Sequence, residues 1–118
     1  AGGLRYHGMA PLVSHVYELG LVEAIAVPQL ECFAGAIKFA RSEGIVPAPE
    51  PTHAIAAAIR EALACKESGE EKTILTALCG HGHLDLASYD RYLRGEMKDL
   101  ELSDDVIKAA MLDVPEIA

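Results

Sequence analysis

Tryptophan is absent from this chain, and the aromatic residues together make up only 5% of its 118 positions. A core built on large rings is excluded, and the abundant alanine points instead to helices packed closely over small side chains. Basic charge is also scarce: ten Lys and Arg stand against eighteen Asp and Glu, for a net charge of −8. Nucleic-acid binding needs clustered cations, so it is excluded as a function. No apolar run approaches the about twenty residues that cross a membrane. The basic, apolar and cleavage-site pattern of an export signal is missing. Cys32, Cys65 and Cys79 form an odd, widely spaced set with no Cys-x-x-Cys pair. That reads as reduced thiols in a cytoplasmic protein. Gly-x-Ser-x-Gly does not occur, which removes the nucleophile-elbow hydrolases. What is present suffices for order, because 51% of the residues are apolar, and the length suits one domain or part of one. The chain opens Ala1-Gly2-Gly3 without an initiator methionine, as expected of a piece of something longer or of a chain from which a tag was removed.

The apolar pattern predicts helices and two short strands. From Pro11, the residues Leu12, Val13, Val16, Tyr17 and Leu19 recur at helical spacing up to Gly20. Glu23 to Val27 reads as a buried strand stopped by Pro28. Gln29 to Glu43 is the clearest helix. Leu30, Phe33, Ala34, Ile37 and Ala40 make its stripe, Cys32, Ala36 and Phe39 widen it, and only Glu31, Gly35, Lys38 and Ser42 suit water. After Gly44 a connection stiffened by Pro47, Pro49 and Pro51 leads to a helix ending near Ser68, with Pro51 at its first position and Glu50 at the N-cap. Ile55, Ala58, Ile59, Ala62 and Leu63 form the predicted buried face. Thr73 to Leu78 reads as a second buried strand, and Leu86 to Arg94 as a helix opened by Asp85. Glu96 to Leu102 is polar and irregular, and Ser103-Asp104-Asp105 opens a last helix. The resulting order is an α/β layout with two strands buried on both faces. Two strands alone make a marginal sheet, so the expectation is a piece that completes a sheet supplied by other residues.

The turn Cys79-Gly80-His81-Gly82-His83 follows the second strand. Ligands of open α/β sheets bind at the carboxyl ends of strands. The Gly80-x-Gly82 pair invites phosphate at a helix start, but the Asp85 carboxylate is expected to occupy that positive end. His81 and His83, with Cys79, are candidate metal ligands without a fourth partner at zinc-like spacing. Two readings remain beside these: a tight, glycine-dependent turn, and a small neutral group set against a flat cofactor. Glu50 is either a helix cap or a carboxylate held in a pocket wall. His53 reads as a satisfied helix-terminal histidine, and Cys32 and Cys65 as packing residues inside helices. None of the lysines has the burial or cationic neighbour that prepares one for Schiff-base chemistry.

Four stretches carry a resemblance. They are Gly3 to Gly8, Ala40 to Glu50 (Ala-Arg-Ser-Glu-Gly-Ile-Val-Pro-Ala-Pro-Glu), His53-Ala54-Ile55, and Leu78 to Asp85. In order and spacing they resemble the C-terminal part of the tryptophan synthase beta chain. Leu4-Arg5-Tyr6-His7-Gly8 and the Gly-His-Gly-His turn resemble its second, beta-like branch. The resemblance runs to about Gly95 and implies a segment of a pyridoxal-phosphate enzyme that makes L-tryptophan from L-serine and indole by β-replacement. It implies the fold as well: an α/β, three-layer parallel-sheet domain. Residues 1–95 would be the C-terminal part of its large domain, and 96–118 a polar connection and terminal helix.

By the same resemblance, Cys79 stands where the family has a serine facing the pyridine nitrogen of the cofactor, with Gly80 beside it. A neutral group there leaves the ring a weaker electron sink than an aspartate would, which suits replacement at the β-carbon over transamination. A thiol is a weaker donor than a hydroxyl. Glu50 matches a glutamate beside cofactor and substrate. Leu4, Tyr6 and Gly8 match a segment whose backbone carbonyls bind a monovalent cation. No catalytic residue is expected here, since the Schiff-base lysine would lie outside the chain. The implied partners are the N-terminal part of the same protein and a second copy in a homodimer. Arg5, in place of an acid, makes alpha-chain regulation doubtful. Two alternatives remain: another β-eliminating or β-replacing enzyme of the fold, of serine deaminase or sulfhydrylase type, and a non-catalytic interaction module.

Overall fold

Five helices carry the structure, a computed structural model that describes residues 8–100 and 103–112. They are α1 (Pro11–Glu18), α2 (Gln29–Glu43), α3 (Thr52–Ser68), α4 (Leu86–Leu93) and α5 (Asp104–Met111). Each helix falls where the apolar periodicity places it. Gly44 and Gly69 close α2 and α3 with φ of 72° and 73°, a left-handed conformation that glycine adopts without the penalty of a Cβ. Ser103 opens α5 by accepting a hydrogen bond from the Val106 amide.

The core sits where α2 packs on α3 and α4. Phe33, Ala36 and Tyr89 are buried at its centre, with Ile37, Val46, Tyr92 and Met97 against them. Two predicted helix faces are rotated. Ala34 is exposed while Gly35, expected on the wet line, is buried. The reason is the approach of α3: a Cβ at Gly35 would lie 3.5–3.7 Å from Ile59, Ile55 and Ala56. On α3 the buried residues are Thr52, Ile55 and Ala56, whereas Ala62 and Leu63 are exposed. Arg60 on α3 joins Glu31 on α2 through two guanidinium–carboxylate bonds of 2.6 and 2.5 Å, which hold the Glu31 carboxyl below its usual range.

The two buried strands are not observed. Among the described residues no strand ladder forms, and the isolated antiparallel bridge between Pro47 and His81 is the one pairing. Residues 23–27 and 73–78 carry no regular secondary structure, with Ile25 61% and Leu75 95% exposed. Their apolar sequences are suited to a sheet interior, but no described segment lies alongside to bond them. An open apolar groove of about 320 Å³ runs between α2, α3 and the second of these segments, lined by Phe39, Ile55, Ile59, Ala62, Ile74 and Thr76 among others. Neither α1 nor α5 packs on another helix, and neither buries a residue. The Cα radius of gyration is 16.8 Å, against about 13–14 Å for a compact domain of this length. The described residues form an open arrangement that leaves apolar side chains such as Leu12, Ile25 and Leu75 exposed.

The irregular stretch after α4 is anchored. Met97 joins the core, Gln29 donates to the Lys98 carbonyl, and the Asp99 carboxylate accepts the Leu30 amide at 3.0 Å. Asp99 thereby caps α2, whose own N-cap residue, Pro28, supplies no side-chain bond. Asp99→Ala is expected to cost about 1 kcal/mol, read as a lower denaturant midpoint in the protein that carries this segment.

Candidate functional site

The turn after residue 78 is held against the proline-rich connection. Ala48 donates its amide to the Gly80 carbonyl at 2.9 Å, and Gly82 donates to the Val46 carbonyl at 2.7 Å. These two bonds flank the Pro47–His81 bridge. Proline has no amide to give, so the pairing is possible only because the neighbours of Pro47 make both bonds. Gly82 is buried, and a Cβ on it would lie 2.4 Å from the Pro47 carbonyl oxygen and 2.9 Å from Val46 Cγ1. No side chain fits there. At Gly80 a Cβ would meet Ala48 Cβ at 3.0 Å. The glycines thus serve close backbone approach.

Tyr89 of α4 closes this arrangement from behind. It is 5% exposed, and its hydroxyl donates to the Pro47 carbonyl at 2.5 Å. Phe33 meets its ring edge-on at 5.1 Å and stacks on Tyr92 at 5.5 Å. Burial, and then the nearby Asp85 charge, push the Tyr89 phenol up to about 12. It therefore stays protonated and donating at ordinary pH. Its folded value lies above the unfolded value of about 10. The stability it contributes is complete below that unfolded value and is lost as pH rises through about 12.

On the connection itself, Thr52 is fully buried and donates to the Pro49 carbonyl. His53 Nδ1 lies 3.0 Å from the Glu50 carbonyl, the satisfied helix-end histidine expected. Pro51, not Glu50, is the N-cap residue of α3, and no side chain caps that end. Glu50 is half-buried. Asp85 also fails to cap: it is the N-cap residue of α4 without a side-chain bond, its amide instead donating to the Gly82 carbonyl. Cys79 is exposed at the end of the extended segment, Cys32 is buried and Cys65 half-buried. The antiparallel register, continued beyond the bridge, leads Cys79 and Glu50 to the same end of it. The His81 and His83 rings lie 4.7 Å apart, and the His83 amide donates to His81 Nδ1 at 3.3 Å. Among the described residues no group of three potential ligands gathers to hold a metal. Every lysine is exposed.

No protein-family model matches the chain. Relatives do. The chain is 64% identical over 99 residues to "Tryptophan synthase beta chain 2" of Aquifex aeolicus, a match covering 84% of this chain and 23% of that protein. It is 60% identical over 97 residues to the protein of the same name from Methanosarcina acetivorans, covering 82% of this chain and 22% of the other. The chain belongs to the tryptophan synthase beta-chain family. A "Tryptophan synthase beta chain" from Pyrococcus horikoshii is 52% identical over 101 residues, 86% of this chain and 22% of its own. The chain spans about a quarter of the length of the relatives it matches, and it corresponds to a C-terminal portion of them.

Within this tryptophan synthase beta-type segment, one backbone bond joins Gly80 to Ala48. Leu4 and Tyr6 lie outside the described residues, and Gly8 is exposed with nothing within 4 Å of a Cβ built on it. The contacts of Tyr89 and Thr52 with the proline-rich connection have no counterpart in the sequence pattern. A tyrosine on a short helix carries no signal of its target, and the bond to Pro47 spans 42 residues.

Proposed function

We propose that this segment forms the pyridine-edge wall of a pyridoxal-phosphate-dependent tryptophan synthase beta-type enzyme, which replaces the β-hydroxyl of L-serine with indole. The observation that carries the reading is the Gly80–Gly82 turn bonded to Val46 and Ala48, which ties the Cys79 segment to the Glu50 segment in a chain 64% identical to a protein of that name. The donor set fits one edge of the cofactor. The Cys79 thiol is exposed next to the bonded Gly80, and a thiol can donate weakly to a ring nitrogen. Gly80 offers no side chain to obstruct a flat ring, and Glu50 stands on the adjoining wall. The set does not fit the reactive end, where a buried lysine is needed and every lysine here is exposed.

When bound, pyridoxal phosphate supplies the electron sink for elimination and replacement at the β-carbon. The residues of this chain would orient it: Cys79 would offer the ring nitrogen a partner without a formal charge, and Glu50 would stand beside cofactor and substrate. Residues 73–78 and the groove beside α2 and α3 would pack against the rest of the large domain, whose N-terminal part carries the lysine. A monovalent cation at the Leu4–Gly8 carbonyls, a homodimer and a cytoplasmic location complete the proposal. Residues 1–95 belong to the large domain, and residues 96–118 form the connection and last helix.

The test is a paired assay. The full-length protein should develop visible cofactor absorbance and form tryptophan from serine and indole, while residues 1–118 alone should do neither. Visible cofactor absorbance from the isolated 118 residues, or a cofactor-loaded full-length protein that deaminates serine without using indole, would overturn the reading.

A further inference from the structure

We infer that Tyr89 is the positioning residue of the proposed cofactor wall, its hydroxyl holding the Pro47 carbonyl and thereby setting the Glu50 segment against the Cys79–Gly80 edge. The role rests on the reading of that wall as cofactor-facing. The bridge is a single pair wide, and its two bonds use Val46, Ala48, Gly80 and Gly82. Neither bond engages the Pro47 carbonyl. Pro47 is buried, and a buried carbonyl without a partner is costly. Tyr89 supplies that partner at 2.5 Å.

The donor belongs to the buried cluster of Phe33, Ala36 and Tyr89. Phe33 on α2 fixes the Tyr89 ring edge-on and also stacks on Tyr92. A short bridge between two irregular segments is thus referred to the α2–α4 core. The same carbonyl oxygen is the atom that leaves no room for a Cβ on Gly82. Pro47 is therefore held on one side by a phenol and met on the other by a glycine. A shift of Pro47 moves both partners of the wall: Ala48 and Glu50 along its own segment, and Gly80 with Cys79 through the bridge. Tyr89 touches neither cofactor nor substrate in this account and acts only through Pro47.

The test uses the full-length protein with Tyr89→Phe, which keeps the ring and its contact with Phe33 and removes only the hydroxyl. Amide hydrogen exchange at Ala48 and Gly82 should rise about tenfold, while the Gly44 amide, bonded to Ala40 at the end of α2, should not change. Cofactor content should be retained, its absorbance maximum should shift, and kcat should fall about tenfold with little change in KM for serine. Tyr92→Phe, whose hydroxyl has no bond among the described residues, should alter none of these. Unchanged exchange at Ala48 and Gly82 would overturn the inference. So would faster exchange with unaltered spectrum and kcat, because Tyr89 would then be structural only. If the wild-type protein forms no tryptophan, the enzyme reading fails separately, and exchange still decides whether Tyr89 holds the bridge.

Discussion

Gly82→Ala should destabilise the protein by about 3 kcal/mol, the upper end of the cost of overpacking, and remove most of its bound cofactor. The added Cβ would stand 2.4 Å from the Pro47 carbonyl oxygen and 2.9 Å from Val46 Cγ1. The first of these is backbone and cannot swing aside. Relief requires the turn to leave the proline segment, which breaks the Gly82–Val46 bond and then the Ala48–Gly80 bond. Gly35→Ala is the matched control, because Gly35 is also buried. Its Cβ would make ordinary contacts of 3.5–3.7 Å with α3, and alanine favours a helix over glycine by about 1 kcal/mol. Gly35→Ala should therefore be neutral or stabilising. Denaturant unfolding of both variants, with cofactor content measured on the native protein, reads the opposite signs directly. Equal effects would show that the turn does not depend on close approach at Gly82.

Cys79→Asp should lower the rate of β-replacement about 100-fold, roughly 2.7 kcal/mol of barrier, whereas Cys79→Ser should keep it within about threefold. A carboxylate facing the ring nitrogen favours its protonated form and makes the ring a stronger electron sink, which opens transamination and other side reactions. Serine preserves an uncharged donor and improves it, since a hydroxyl donates better than a thiol. Cys79 is exposed at the end of its segment, so neither change disturbs the core of these residues, and the denaturant midpoints of both full-length variants separate loss of activity from loss of fold. Product analysis completes the measurement: the aspartate variant should release keto acid that wild type does not. A Cys79→Asp enzyme with wild-type rates and products would remove Cys79 from the site.

The helices were legible because their signals are local. The limits of α2 follow from Pro28 before it and Gly44 after it, and both are visible without knowing what the helix packs against. The faces were less so. Gly35 reads as a polar-side residue until α3 lies directly over it. The strands do not form among the described residues for a related reason. Thr73 to Leu78 carries the composition of a buried strand, but burial needs neighbours, and no described segment supplies them. The same pattern that failed to form a strand here agrees with a chain that spans about a quarter of its relatives.

At the site, the glycines announced a tight turn, and the family resemblance assigned Cys79, Gly80 and Glu50 to it. The physical hold on the turn was not legible. It depends on Tyr89 reaching Pro47 and on a Gly82 that leaves no room for a Cβ beside the Pro47 carbonyl, contacts that no spacing encodes. Asp85 shows the converse error: an acid at a helix start reads as a cap, yet its side chain makes no capping bond.

The most direct measurement is a crystal structure of the full-length protein with pyridoxal phosphate bound. The Cys79 sulfur should lie within hydrogen-bonding reach of the pyridine nitrogen, Glu50 on the adjoining wall, and Thr73 to Leu78 should pair as an interior strand with residues outside this segment. A cofactor bound away from Cys79, or residues 73–78 still exposed in the complete protein, would contradict this arrangement.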